Sequence, residues 1–163
     1  MKKILDKLRS VLAILTAILF AIIFCLVVVE IICRTFLGFS LLWSMDIIQL
    51  VVCWMLAFGM SAIVYTQDHL RVEFIKEKFP AQGQKVLTVI TNAMELAFFL
   101  MLIPYGITIA QTKMRIGFTT LRWPTGYQFA ALPVFGLLSA IFMAYRLYVS
   151  IRNLSGKGEK RNG

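Results

Sequence analysis

Residues 43–79 read WSMDIIQLVVCWMLAFGMSAIVYTQDHLRVEFIKEKF, and this stretch decides the fold. A tryptophan and an acid open it, and from Ile47 to Tyr65 the only strongly polar side chain is Gln49. At about 1.5 Å per residue a helix over that run covers about 28 Å, close to the hydrocarbon thickness of a bilayer. The run stops at Thr66-Gln67-Asp68-His69. Beyond it, Leu70, Phe74, Ile75 and Phe79 recur about one helical turn apart, while Arg71, Glu73, Lys76, Glu77 and Lys78 fill the remaining arc. This pattern predicts a short amphipathic helix over 69–79 lying in the membrane surface.

Working outward, the chain has 163 residues, 60% of them hydrophobic, with a mean hydropathy of +0.81. That composition places it among membrane proteins, because a soluble domain of this size cannot hide so much apolar surface. Lys and Arg outnumber Asp and Glu by 17 to 8. In a membrane chain such an excess sets orientation and needs no nucleic-acid partner to explain it.

The first ten residues carry Lys2, Lys3, Lys7 and Arg9 against Asp6, with Ile4, Leu5 and Leu8 as an apolar side for the headgroups. Val11 to Val29 then runs without a charge. The run outlasts the core of a signal peptide and meets no small-residue cleavage site or lipobox, so it reads as a retained span over about 11–33. Glu30 and Arg34 close it four apart, acid first, which favours an ion pair near the headgroups. A short turn with Gly38 and Ser40 leads to the second span, about 46–66. Pro80 and Gly83 break the surface helix before a third span at about 86–106. Residues 107–122 are more polar and allow the third helix to extend past the membrane. Trp123-Pro124-Thr125 reads as a fresh helix start, and the fourth span, about 125–148, carries Pro133 as a kink site. The tail, 152–163, is glycine-rich and basic and reads as a flexible extension of a single membrane domain. The expected class is an all-α integral membrane protein with four transmembrane helices and interfacial helices on the cytoplasmic side.

The basic residues fall unevenly. Thirteen, including Arg71, Lys76, Lys78, Lys85 and Arg146, lie at the termini or between spans two and three; only Arg34, Lys113, Arg115 and Arg122 lie on the other face. Both termini are therefore expected in the cytoplasm, in the inner membrane of a bacterium.

Chemistry is sparse. His69 is the single histidine, whereas haem-binding spans supply pairs, and Cys25, Cys33 and Cys53 match no zinc or redox spacing. No enzyme activity, cofactor or metal is expected. Glu95 stands in the third span with Thr88, Thr91 and Asn92 on its side of the helix, near the expected midplane. An acid there costs about 2.5–3.5 kcal/mol unless protonated or paired. It is either a proton or ion site, or a carboxyl bonded to a neighbouring helix or subunit.

The four-span layout, the Trp43-Ser44 pair opening span two and the Gly59 region within it carry a resemblance. So do His69-Leu70-Arg71-Val72-Glu73 after that span and Trp123-Pro124 before the last one. Over roughly residues 10–150 the chain resembles the small, Q-type membrane subunit of tripartite ATP-independent periplasmic (TRAP) transporters. The family often has two adjacent acids after the Trp-Ser pair; here Met45 precedes a single Asp46.

The resemblance implies a scaffold paired with a large sodium-coupled permease subunit that moves in an elevator-like manner. A periplasmic binding protein would deliver an organic acid, often a dicarboxylate or a sialic acid. Trp43, Asp46, Gln49, His69, Arg71, Phe74 and Glu95 become candidates for the partner-subunit or lipid interface. Lys113, Arg115 and Arg122 become candidates for docking the binding protein. Two other readings remain: a small homodimeric proton-coupled exporter working through Glu95, and a membrane anchor for a redox enzyme. The absence of repeats and of discontinuous helices weighs against the exporter, and the single histidine against the anchor.

Overall fold

The computed structural model describes residues 2–66 and 81–154. Helix α1 (Lys2–Ile32) runs into a π-helical turn (Cys33–Leu37), and Gly38, at φ 70°, ends it in the left-handed conformation that glycine adopts without strain. Helix α2 is Leu42–Thr66, α3 is Ala81–Lys113, the single turn α4 is Gly126–Phe129, and α5 is Ala131–Leu154. Four segments are long and apolar enough to cross a membrane: Lys3–Leu37, Leu42–Tyr65, Thr88–Lys113 and Gly126–Arg152. The surface helix expected over 69–79 lies outside the described residues, as does the tail beyond Leu154. Residues 2–10 are a continuous part of α1, and Leu5, expected on the headgroups, is buried in the protein.

The helices do not close into a bundle. Their backbones approach in the order α1–α2–α5–α3, so the architecture is a row. On α1 the covered positions Leu5, Leu8, Leu12, Thr16, Leu19, Ile23, Leu26 and Glu30 recur three or four residues apart. That spacing draws one narrow seam along the helix. The rest of the surface, including Ile14, Ile18, Phe20, Phe24 and Ile31, stays exposed. In water this would be ruinous. In hydrocarbon an exposed isoleucine costs nothing, so helix contact must come from close packing and polar bonds.

Small residues supply the close packing. A Cβ on Gly59 would stand 3.1 Å from Thr16 Cγ2, so α1 and α2 meet where one has no side chain. A Cβ on Gly106 would lie 2.9 Å from Pro133 Cδ and 3.0 Å from its backbone nitrogen, so α3 touches α5 backbone to backbone. Pro133 itself falls in the first turn of α5, where its missing N–H is harmless, and the break in the fourth span comes between α4 and α5. Two buried clusters form the core. One joins Leu5, Leu12, Ala62 and Phe142; the other joins Phe99, Ala140 and Met143, with Phe99 edge-on to Phe135.

Candidate functional site

Polar contacts gather at the two ends of the row. At the end holding Gly38, Ser44 Oγ donates to the Leu41 carbonyl at 2.7 Å and ties down the first turn of α2. Two residues further, Asp46 Oδ2 accepts the backbone N–H groups of Thr120, at 2.9 Å, and Leu121, at 3.1 Å. The segment after α3 is folded back on itself: Phe118 N–H donates to Trp123 O, Thr125 N–H donates to Ile116 O, and Gly117 bridges Pro124 in antiparallel sense. Arg122 sits at its tip with φ 57°, an uncommon conformation for a residue with a side chain. Thr125 Oγ1 bonds the carbonyls of Lys113 and Ile116, joining the end of α3 to the start of α4. A carboxylate at the mouth of α2 thus pins a hairpin-like loop that belongs to α3 and α4. Trp54 Nε1, donating to Tyr127 O, and Gln128 Nε2, donating to Cys53 Sγ, extend the join inward.

At the opposite end, Tyr65 donates its hydroxyl to Asp6 Oδ1 at 2.5 Å, linking α2 to α1. Arg146 of α5 is buried and donates to the Val64 carbonyl at 3.2 Å. That carbonyl belongs to the last turn of α2, where orphan acceptors collect and a cation is favoured. Asn92 of α3 is also buried and donates to Ser150 Oγ of α5 at 3.0 Å. Between the ends there is one further polar contact of note. Ser61 Oγ gives its proton to the Ala57 carbonyl, so in its 3.4 Å pair with Ser139 Oγ the donor is Ser139.

The residues singled out by sequence fall into three groups. Asp46 and the loop bearing Arg115 and Arg122 are brought together, whereas Trp43 and Gln49 are exposed on α2. The basic cluster is divided: Arg115 and Arg122 are exposed, but Lys113 is half-buried with Nζ over the Phe129 ring, 5.8 Å from its centroid. Glu30 is half-buried on the α1 seam and Arg34 is exposed in the π-helical turn, with no ion pair between them among the described residues. His69, Arg71 and Phe74 lie outside the described residues.

Glu95 stays near the middle of its helix: α3 runs Ala81–Lys113, which puts Glu95 about 21 Å from one end and about 27 Å from the other. It is half-buried and lies between Asn92 and Phe99, which face α5. Sequence reasoning missed the Tyr65–Asp6, Asn92–Ser150 and Arg146–Val64 joins. Their signal was a polar side chain inside an apolar run, which must find a partner; the partner itself is not legible before the helices are placed. Among the described residues no three His, Cys, Asp or Glu side chains gather as metal ligands.

Two open apolar grooves flank the join of α2 with α4 and α5. One, of about 270 Å³, runs between Leu56 and Met60 on one wall and Phe129, Leu132 and Phe135 on the other. The second, of about 520 Å³, is lined by Leu50, Trp54, Trp123, Pro124 and Tyr127.

Residues 23–153 match the model of the family described as "Tripartite ATP-independent periplasmic transporters, DctQ component". The match runs from the last third of α1 through nearly all of α5. The chain belongs to this family. A comparison with curated proteins finds no match. As a DctQ component the chain is the small subunit of a TRAP transporter and a multi-pass membrane protein. The family is one of transporter components rather than enzymes, and its members associate in general with a large permease and a substrate-binding protein.

Proposed function

We propose that this DctQ component is a fixed brace: it holds a large sodium-coupled permease subunit in the inner membrane while that subunit moves an organic acid. The observation that carries the reading is the single row of helices α1–α2–α5–α3. A row leaves broad apolar faces uncovered around a small core, so it is suited to lying against another membrane protein. Pinned at one end by Asp46 and at the other by Tyr65, Arg146 and Asn92, it keeps its shape while the partner moves.

The orientation proposed is both termini in the cytoplasm, which puts the pinned loop in the periplasm. There the exposed Arg115 and Arg122 carry positive charge toward an incoming binding protein, and such rim charges act mainly on encounter rate. The test is uptake into proteoliposomes. Vesicles holding this chain and its large subunit should take up solute in a sodium- and binding-protein-dependent way; those holding this chain alone should match empty vesicles. Uptake by the chain alone, abolished by Glu95→Gln, would overturn the brace and establish a carrier built on Glu95. For orientation, a reporter active only in the periplasm should be silent after Asn153 and active after Gly117; the reverse would invert the frame.

A further inference from the structure

We infer that the groove between α2 and α4–α5 holds an acyl chain of one anionic phospholipid, whose phosphate rests on Lys113. This inference goes beyond the brace and does not depend on it. Both walls belong to segments apolar and long enough to cross the membrane, so the groove opens into hydrocarbon. Its polar neighbour, Gln128, is buried and directs its amide nitrogen to Cys53 Sγ. Met60 and Leu56 give one wall the adaptable lining that suits a flexible chain.

Size decides the occupant. The groove, open along one side, offers about 270 Å³, more room than the ~150 Å³ at which an apolar cavity accepts a benzene-sized guest. From Cys53 to Met60 it follows α2 for about 10 Å. A helix with its side chains is about 10–12 Å across and would rest on the rim. A single hydrocarbon chain enters.

Charge decides the lipid. Phe129 lines the groove, and Lys113 Nζ stands 5.8 Å from the centre of its ring. Lys113 is the last residue of α3 and of its span, where the hydrocarbon gives way to headgroups. The position is fixed by backbone packing: a Cβ on Gly126 would lie 2.7 Å from the Ala110 carbonyl, so the end of α3 is seated directly on the start of α4. Arg115 and Arg122 follow in the same loop, and Asp46, the carboxylate that bonds that loop, already has Oδ2 engaged by two backbone N–H groups. The end of the groove therefore presents a cation beside an aromatic face, on an apolar slot. A phosphodiester with net negative charge satisfies the first, and its acyl chain the second.

The full chain would be placed in nanodiscs of equimolar phosphatidylglycerol and phosphatidylcholine, released for native mass spectrometry, and its retained lipids counted. The parent should retain one phosphatidylglycerol in excess of phosphatidylcholine. Lys113→Ala should lower that preference about fivefold, as expected for one cation at a lipid surface, and Lys113→Arg should restore it. Leu132→Trp, or Met60→Trp on the opposite wall, should fill the slot and remove retention of either lipid. Equal retention of both lipids by the parent, or a preference unchanged in Lys113→Ala, overturns the proposal. So does retention unchanged in a tryptophan variant that keeps its helical circular dichroism. If those variants instead shed a co-purified large subunit while keeping the lipid, the groove is a helix seat and the lipid assignment fails. Should both tryptophan variants fail to fold, the Lys113 pair decides alone.

Discussion

Replacing Asp46 with Ala tests whether one carboxylate holds the outer loop. The side chain accepts two backbone N–H groups, from Thr120 and Leu121, on a single oxygen. A bond to a charged acceptor contributes about 1.5–3 kcal/mol when buried. Asp46 is only half-buried and Thr120 is exposed, so water replaces part of what is lost. We expect a total of about 2 kcal/mol, which is about 30-fold in the opening equilibrium of the loop. Per-residue amide hydrogen exchange in nanodiscs reads this directly, and the Thr120 and Leu121 amides should exchange about 30-fold faster in Asp46→Ala. Asp46→Asn keeps a carbonyl acceptor without the charge and should fall between, at about fivefold. The Phe118 and Thr125 amides, bonded within the loop itself, should change less. Trypsin cleavage after Arg122 should rise in the same order. Exchange at Thr120 and Leu121 unchanged by Asp46→Ala would refute the pin, leaving the internal loop bonds to hold the segment.

Three further substitutions probe the row. Gly106→Ala brings a methyl group against the Pro133 backbone and should lower stability by about 1–3 kcal/mol, read as a fall in thermal midpoint in detergent; an unchanged midpoint would mean that α3 and α5 can separate freely. Arg146→Ala strips a buried cation from the last turn of α2 and should cost roughly 2–3 kcal/mol, with the loss seen first as faster exchange near Val64; stability equal to the parent would show that Arg146 is surface charge after all. Tyr65→Phe removes only the hydroxyl bonded to Asp6 and should cost about 1 kcal/mol, and Asp6→Asn should leave little more to lose when combined with it; additive effects would show the two groups do not act together.

The four spans were legible because hydrophobic length is a local property: any run such as Ile47–Tyr65 must cross a bilayer whatever surrounds it. Family membership was legible for a related reason, since Trp43-Ser44, Gly59 and Trp123-Pro124 sit at fixed places along those runs, and the family match over 23–153 covers them. What the sequence could not carry was the order of the row and the partner of each polar group. Asp46 is an interface candidate by sequence, and only the fold shows that it also reaches 74 residues along the chain to Thr120. Arg146 is counted by sequence among the basic residues of one face, and only the fold shows that it is buried and donates to the Val64 carbonyl at the end of α2. Glu95 declares a need for a partner near the middle of α3, and only packing sets it beside Asn92 and Phe99 on the side that faces α5. In each case the residue type declared a need for a donor or an acceptor. Hydrocarbon gives no preference among apolar faces, so close packing, such as Gly59 on Thr16 and Gly106 on Pro133, together with the polar bonds chose the neighbours that meet those needs.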